Sequence, residues 1–257
     1  MVTMQSDERT ERPAREEREA REAARGGAEK HAYVRRVFSE IAPRYDLLNH
    51  VLSLNLDRWW RRQAIGELRW QRRPAGCYVD LCAGTLDVGS ALAREAGFHG
   101  LVVGVDFAEP MLRAGTGKAP CAVLTPVAGD AQGLPLADGS AAGAIVAFGI
   151  RNVAELDAAL REAHRVLEPG GRLVVLEFTT PRNPVVRAAY HLYFHRVLPT
   201  VGRLVSGHRT AYAYLPRSVA SFPAEEELAA RMAGAGFTDV SWRSLTLGVA
   251  AIHVGKR

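Results

Sequence analysis

The sequence predicts an α/β fold: a mostly parallel sheet covered by helices on both faces. Three observations carry that reading. From Cys77 onward, short apolar, β-branched runs alternate with segments of helical period. The run GLVVGVDF at 100–107 is apolar at consecutive rather than alternate positions, as a strand buried on both faces requires. The run ending at Asp80 leads into DLCAGTLD, residues 80–87, where an acid, a glycine and a helix start follow one another.

Taken in order, residues 1–30 are rich in Glu, Arg and Ala and nearly free of large apolar side chains, so a disordered charged tail is expected there. Residues 31–257 form the domain. Its first part, 31–70, reads as a helical cap: Val34, Val37, Phe38 and Ile41 recur at helical spacing, Pro43 interrupts, and Leu47, Leu48, Val51, Leu52 and Leu54 resume the pattern before Trp59 and Trp60. Strands are expected at 77–82, 101–107, 123–128, 143–149 and 172–178, and helices at 86–96, 109–115 and 155–167. Residues 181–223, rich in Pro, Tyr and Arg, break the rhythm as an insertion. A helix at 224–235 and strands at 237–246 and 249–255 close the chain.

Composition bounds the function. In 257 residues no apolar run reaches the ~20 needed to span a bilayer, and the charged N-terminus lacks a signal-peptide core. Residues 7–30 carry eight acids against seven bases, unlike a transit peptide. A cytoplasmic protein is expected. The net charge is +5, but arginine outnumbers lysine 30 to 3, a compositional bias rather than a phosphate-binding face, so nucleic acid is not an expected partner. Cys77, Cys82 and Cys121 form no CxxC, and no metal site is expected.

In an open α/β sheet, ligands bind beyond the carboxyl ends of the strands. There the sequence places Asp80, Gly84 and a helix N-terminus, then Asp106 after the second strand, 22 residues beyond Gly84, then Asp130 and Ala131 after the third. A dinucleotide would want G-x-G-x-x-G and a nucleoside triphosphate G-x-x-x-x-G-K-[ST]; both are absent. S-adenosylmethionine has ribose, adenine and an amino group but no phosphate. Asp106 suits the ribose hydroxyls, Asp130 and the Ala131 N–H the adenine, and Asp80 the amino group. Cys82 and Leu86 stand where such loops usually carry glycine. If residue 86 needs a positive φ, leucine costs about 1–2 kcal/mol. If it opens the helix, leucine merely narrows the pocket. Leu86→Gly is expected to keep or tighten cofactor affinity and to lower stability only slightly.

Four motifs carry a resemblance over about 31–256. FSEIAPRYDLLNHVLSLNLDRWW (38–60), DLCAGTLD (80–87), AFGIRNV (147–153) and RVLEPGGRLVVLEFT (165–179) resemble those of the ubiquinone/menaquinone biosynthesis C-methyltransferases. The resemblance implies a class I methyltransferase (Rossmann-like) fold, a seven-stranded sheet with its last strand antiparallel. It also implies methyl transfer from S-adenosylmethionine to a ring carbon of a polyprenylated quinol. Demethylmenaquinol is favoured; the alternatives are a 2-methoxy-6-polyprenyl-1,4-benzoquinol, another aromatic or lipid acceptor, or a non-catalytic cofactor-binding scaffold. By motif position, the family's cofactor contacts fall on Thr85, Asp106, Asp130 and Ala131, and its substrate-side residues on Tyr45, Asp87, Arg151 and Asn152. The sequence departs from the family at Leu86, Asp57, Ala142–Gly143, Glu168 and Thr179.

The chemistry then suggests roles. A quinol ring carbon becomes nucleophilic when the adjacent hydroxyl ionises. Arg151 stays protonated, so it is expected to stabilise the phenolate rather than act as the base. Asn152 would orient water or the methionine part of the cofactor. Asp87 would hold the ring hydroxyl or serve only as a helix N-terminal charge, and Tyr45 would close over the ring. His50, His164 and His195 have no partner visible in sequence. Trp59–Trp60, flanked by Arg58, Arg61 and Arg62, read as an interfacial patch implying peripheral contact with the inner face of the membrane. Tyr190, Tyr193, Phe194, Tyr212 and Tyr214 would line the path of the prenyl tail. A homo-oligomer is left open.

Overall fold

The structure, a computed structural model, describes residues 28–42, 45–197 and 210–257. The tail expected over 1–30 lies outside the described residues except for its last three, as do Pro43 and the side chains of Leu47, Leu48, Val51, Leu52, His195 and Tyr212.

Three helices, α1 (Ala28–Ile41), α2 (Tyr45–Leu52) and α3 (Leu56–Glu67), precede the sheet. The alternating part runs β1 (Cys77–Leu81), α4 (Asp87–Ala93), β2 (Leu101–Asp106), α5 (Glu109–Gly115), β3 (Leu124–Ala128), β4 (Ala141–Ala147), a 3₁₀ turn at Ile150–Asn152, α6 (Leu156–Val166) and β5 (Leu167–Phe178). The chain closes with α7 (Pro184–Leu192), a π turn at Tyr193–Val197, α8 (Thr210–Ala220), α9 (Glu225–Gly234), β6 (Thr238–Leu245) and β7 (Ala250–Lys256). The strands form one sheet in the order β3-β2-β1-β4-β5-β7-β6. All neighbours pair parallel except β7, which runs antiparallel to both β5 and β6. This is the mostly parallel α/β sheet the sequence predicts, with the reversed last strand that the family resemblance implies.

Period-two alternation divides the core. Val79, Leu81, Ala144 and Val175 face one side, where Leu160 and Ala163 of α6 and Leu228 and Met232 of α9 cover them. Tyr78, Ile145, Val174 and Leu176 face the other, under Trp60, Ala64 and Ile65 of α3 and Leu92 of α4. Some details differ from expectation. The segment expected as an insertion, with no secondary structure expected in it, is largely helical in its described residues. Strand β5 starts five residues earlier than expected, and α4 is shorter at both ends. The tryptophans separate, Trp60 buried and Trp59 half out in solvent, and Leu54 points into water rather than continuing the apolar face.

The loop between β1 and α4 explains why glycines are usual there. Cys82, Gly84 and Leu86 all adopt left-handed backbone, at φ 52°, 52° and 63°. The positive-φ alternative for Leu86 therefore holds. Its side chain does not narrow a pocket, because it points down into the core between β2 and α5. Two glycines make room: a Cβ on Gly104 would fall 2.4 Å from Leu86 Cδ2, and one on Gly115 would fall 3.0 Å from its Cγ. The strain at Leu86, about 1–2 kcal/mol, is offset by burying a leucine, worth about 1.5–3 kcal/mol.

This reverses the expectation of a slight effect. Leu86→Gly relieves the strain but leaves a cavity that two glycines already line, so it should cost roughly 2–4 kcal/mol of stability in urea unfolding. A loss below about 1 kcal/mol would mean that strain, not packing, dominates at this position.

Candidate active site

Strand order reverses between β1 and β4, each of which continues to a different side of the sheet, and the crevice opens at that switch point. Beyond the carboxyl ends lie the loop 82–86, Asp106, and Phe148–Asn152. Phe148, at φ 60°, is a further left-handed residue on the crevice wall.

Asp106 ties the loop to its neighbour strand. Its Oδ2 accepts from the Gly84 N–H at 2.8 Å and its Oδ1 from Ala108 N–H at 2.8 Å. Burial pushes its carboxyl above the ordinary range, against the pull of these two donors. Asp80 lies lower. It is buried beneath the loop and accepts from the Gly89 N–H of α4 at 2.8 Å, and burial raises it to about 7 despite that bond and Arg61. It lines neither of the two cavities that meet at the crevice. Asp130 sits half-exposed with Oδ1 on the Gln132 N–H at 2.9 Å, and the buried Ala131 follows it. His31 of α1 places Nε2 3.3 Å from Asp130 Oδ2 and packs its ring, tilted, on Phe107 with centroids 4.9 Å apart, so α1 covers the residues the sequence associates with adenine.

Two cavities meet here. The smaller is a cleft of mixed polarity, about 30 Å³, lined by Gly84, Asp106, Phe107 and Asn152 and roofed by Val34 and Phe38 of α1. The larger, about 360 Å³, is mostly apolar and runs between the cap and the former insertion, past Trp60, Phe178, Tyr190, Phe194 and Tyr214. Phe38, Tyr45 and Phe148 form walls of both. Arg151 borders the large cavity and its neighbour Asn152 the small one. Arg151 is no surface residue: it is buried, with Nη1 2.6 Å from Glu177 Oε1, over the Phe178 ring. Tyr45 keeps its proton more tightly than a free tyrosine, chiefly through burial.

Asp87 and Thr85 enter a charged chain behind the loop. Lys118 Nζ bridges Asp46 at 2.5 Å and Asp87 at 2.6 Å. Asp46 accepts from Thr85 Oγ1. Arg61 Nη1 bridges Asp87 at 3.3 Å and Asp57 at 2.6 Å, and Asp57 also holds His50 Nδ1 at 2.9 Å. Thr85 and Asp87 therefore anchor the loop to α2 and α3, and neither lines either of these two cavities. Sequence reasoning missed Lys118, Glu177 and the His50–Asp57 pair. Each had a signal: a lysine in an arginine-biased chain, a lone acid in the apolar run LVVLEF, and Asp57 where some members of the resembled family have His.

The cleft suits a nucleoside with a charged amino acid part. Asn152 Oδ1 is buried with no hydrogen-bond partner among the described residues, and no neighbour comes closer than 3.5 Å to where a Gly84 Cβ would be. Such a group needs acceptors, a backbone-close approach and no phosphate cradle. The cleft offers these, with α1 having to shift to admit it.

The sequence model of the ubiE/COQ5 methyltransferase family matches residues 27–257. Among curated proteins, the chain is 49% identical to a demethylmenaquinone methyltransferase of Thermus thermophilus, over 86% of this chain and 100% of that protein. It is 43% identical to a ubiquinone/menaquinone biosynthesis C-methyltransferase of Geobacter sulfurreducens, over 89% of this chain and 90% of that one. Among solved structures, a SAM-dependent methyltransferase of Thermotoga maritima superposes with a TM-score of 0.60 at 20% identity, covering 86% of this chain and 98% of that one, a likeness of fold alone.

Asp80 gives a pH test. Its folded-state pKa of about 7 lies above the unfolded value, so the folded chain holds more protons between roughly pH 4 and 7. Its contribution to stability is fully present below the unfolded pKa and is lost as pH rises through 7. Asp80→Asn removes that loss, so relative to the parent it should gain roughly 2–3 kcal/mol between pH 5 and pH 8 in urea unfolding. A pH-independent difference would show that Asp80 is ionised throughout.

Proposed function

The chain belongs to the ubiE/COQ5 methyltransferase family, and we propose that it methylates a ring carbon of a polyprenylated quinol, demethylmenaquinol, with S-adenosylmethionine as the methyl donor. The observation that carries this reading is the large, mostly apolar cavity, suited to an aromatic ring with a prenyl tail, which shares Phe38, Tyr45 and Phe148 with a small cleft at Gly84, Asp106 and Asn152 that would widen by a shift of α1 to admit the donor. Relatives named for demethylmenaquinone support the naphthoquinol ring. Residues 31–257 act as one domain in this reading, with the cap and the 181–223 segment walling the acceptor cavity, and the protein works in the cytoplasm at the inner face of the membrane.

Asp106 would hold the ribose hydroxyls with the lone pairs left by its two backbone bonds. Asp130 and Ala131 would hold the adenine once His31 moves off Asp130. Gly84 gives backbone approach, and Asn152 Oδ1 accepts from the amino acid part. Asp80, Thr85 and Asp87 position the loop rather than touch either substrate. When bound, the cofactor supplies an electrophilic methyl on a sulfonium.

This chain's residues do the rest. Tyr45 and Phe148, on the walls of both cavities, fix the ring so that one carbon faces the cleft; such orientation is worth up to about 7–11 kcal/mol. Arg151 lies beside the acceptor cavity with Nη1 held by Glu177, which fixes the plane of the guanidinium. Its field lowers the cost of ionising the adjacent hydroxyl. Tyr45 is protonated and donates to the oxygen instead of taking its proton.

Purified protein given the donor and either reduced demethylmenaquinone or a demethyl-benzoquinol, with products read by mass spectrometry, tests the reading. Methylation of the naphthoquinol at least tenfold faster is expected; turnover confined to the benzoquinol would reassign the substrate, and no turnover on either would leave the scaffold reading. Arg151→Lys keeps a charge for Glu177 but loses the planar fork. It should bind the donor normally in calorimetry and lose at least about 10²-fold in turnover, in line with removal of an oxyanion donor. Near-normal turnover would reduce Arg151 to a structural partner of Glu177.

A further inference from the structure

Helix α7 is apolar on both sides. Val186 and Tyr190 face the large cavity, while Val185, Ala188 and Leu192, at i, i+3 and i+7, face solvent. Val185 is 77% exposed and Leu192 62%. An exposed apolar stripe on a helix whose other side already packs on the protein marks an interaction surface. Two further leucines stand at the same opening. Leu54, 76% exposed, is on the cavity wall itself, and Leu247, 77% exposed, follows Thr246, which is also on the wall. Both lie in left-handed backbone, at φ 53° and 57°. Trp59, 43% exposed, is near by on α3, next to Trp60 on the cavity wall. The exposed cations Arg58, Arg62 and Arg187 belong to the same two helices, and none has an acidic partner among the described residues.

We propose that this rim is a docking face for an anionic lipid bilayer. Val185, Leu192, Leu54 and Leu247 enter the acyl boundary, the arginines meet the headgroups, and the cavity mouth opens into hydrocarbon. The inference rests on the quinol reading and deepens it: an isoprenoid tail then passes from bilayer to cavity without crossing water. The charge pattern favours lipid over a second copy of the chain, because a two-fold contact through this rim would bring like-charged arginines together.

Vesicle co-sedimentation of the full chain tests it. With phosphatidylcholine vesicles containing about one third phosphatidylglycerol, binding should exceed that to phosphatidylcholine alone by at least tenfold and weaken with salt. The variant Val185→Ser/Leu192→Ser/Leu247→Ser alters only exposed side chains off the cavity wall. It should lose about tenfold in anionic-vesicle binding, with donor affinity by calorimetry and turnover of a water-soluble short-chain quinol unchanged. Three results would overturn the proposal: a parent chain that ignores anionic vesicles, a triple variant that binds them equally, or light scattering in which the variant dissociates a dimer while vesicle binding stays the same. A parent chain that binds vesicles through these residues but methylates no quinol supports the docking face and removes the quinol reading, so the two failures are distinct.

Discussion

Everything at the crevice depends on a backbone that turns left-handed three times in five residues between β1 and α4. Left to itself such a loop is costly, since Cys82 and Leu86 lack glycine's freedom. It persists because it is held from four directions. Asp106 takes the Gly84 N–H, Asp80 takes the Gly89 N–H, Asp46 takes the Thr85 hydroxyl, and Leu86 is plugged into the space kept by Gly104 and Gly115. Each tie comes from a different element. The loop thus couples β2, β1, the cap and α5, and a change in any of them is transmitted to the cleft.

The charged chain behind the loop has its own logic. Asp46, Lys118, Asp87, Arg61 and Asp57 alternate in sign, so every carboxylate lies beside a cation and every cation between two carboxylates. As isolated pairs, the partly exposed bridges of Lys118 would contribute little, and the buried Arg61–Asp57 bridge would offset its Coulomb gain with desolvation. In a network, ordering one side chain serves two contacts, which lowers the entropy cost per bridge. Its effect is mainly geometric: α2 and α3, which line the acceptor cavity, are locked to α4, which begins at the donor loop.

The sequence made the sheet legible because its strands are buried on both faces, and VVGVD or LVVL have no other comfortable conformation. It made the loop legible through Asp80, Gly84 and Asp106, whose spacing is fixed by one βαβ unit. It did not reveal what lies behind the loop. Lys118 is 72 residues from Asp46 and 31 from Asp87, and Glu177 is 26 from Arg151. Such pairs arise from tertiary closure, and no periodicity encodes them. Leu86 was legible as an anomaly but not as a solution, because its compensating glycines sit on β2 and α5. The helical character of 184–197 was obscured by its aromatics, which pack on a cavity rather than following a simple amphipathic stripe.

The pairing of Arg151 with Glu177 bears on where the quinol's proton goes. An unpaired buried guanidinium would be costly, and Glu177 supplies the countercharge that lets Arg151 sit in an apolar wall. The pair is neutral overall, and Arg151 borders the cavity with its Nε buried and without a hydrogen-bond partner among the described residues. In the proposed reaction, a phenolate beside it would be stabilised by a fixed dipole rather than by a full countercharge, and the positive end would need no reorganisation as charge develops. Tyr45 is held protonated and Asp57 is engaged by His50, Ser53 and Arg61, so neither is a free base on the cavity wall. In that reaction ionisation of the ring would be an electrostatic matter, with Asn49, Ser53 and Asp57 giving the cavity wall a polar end and His50 hydrogen-bonded to Asp57 behind it.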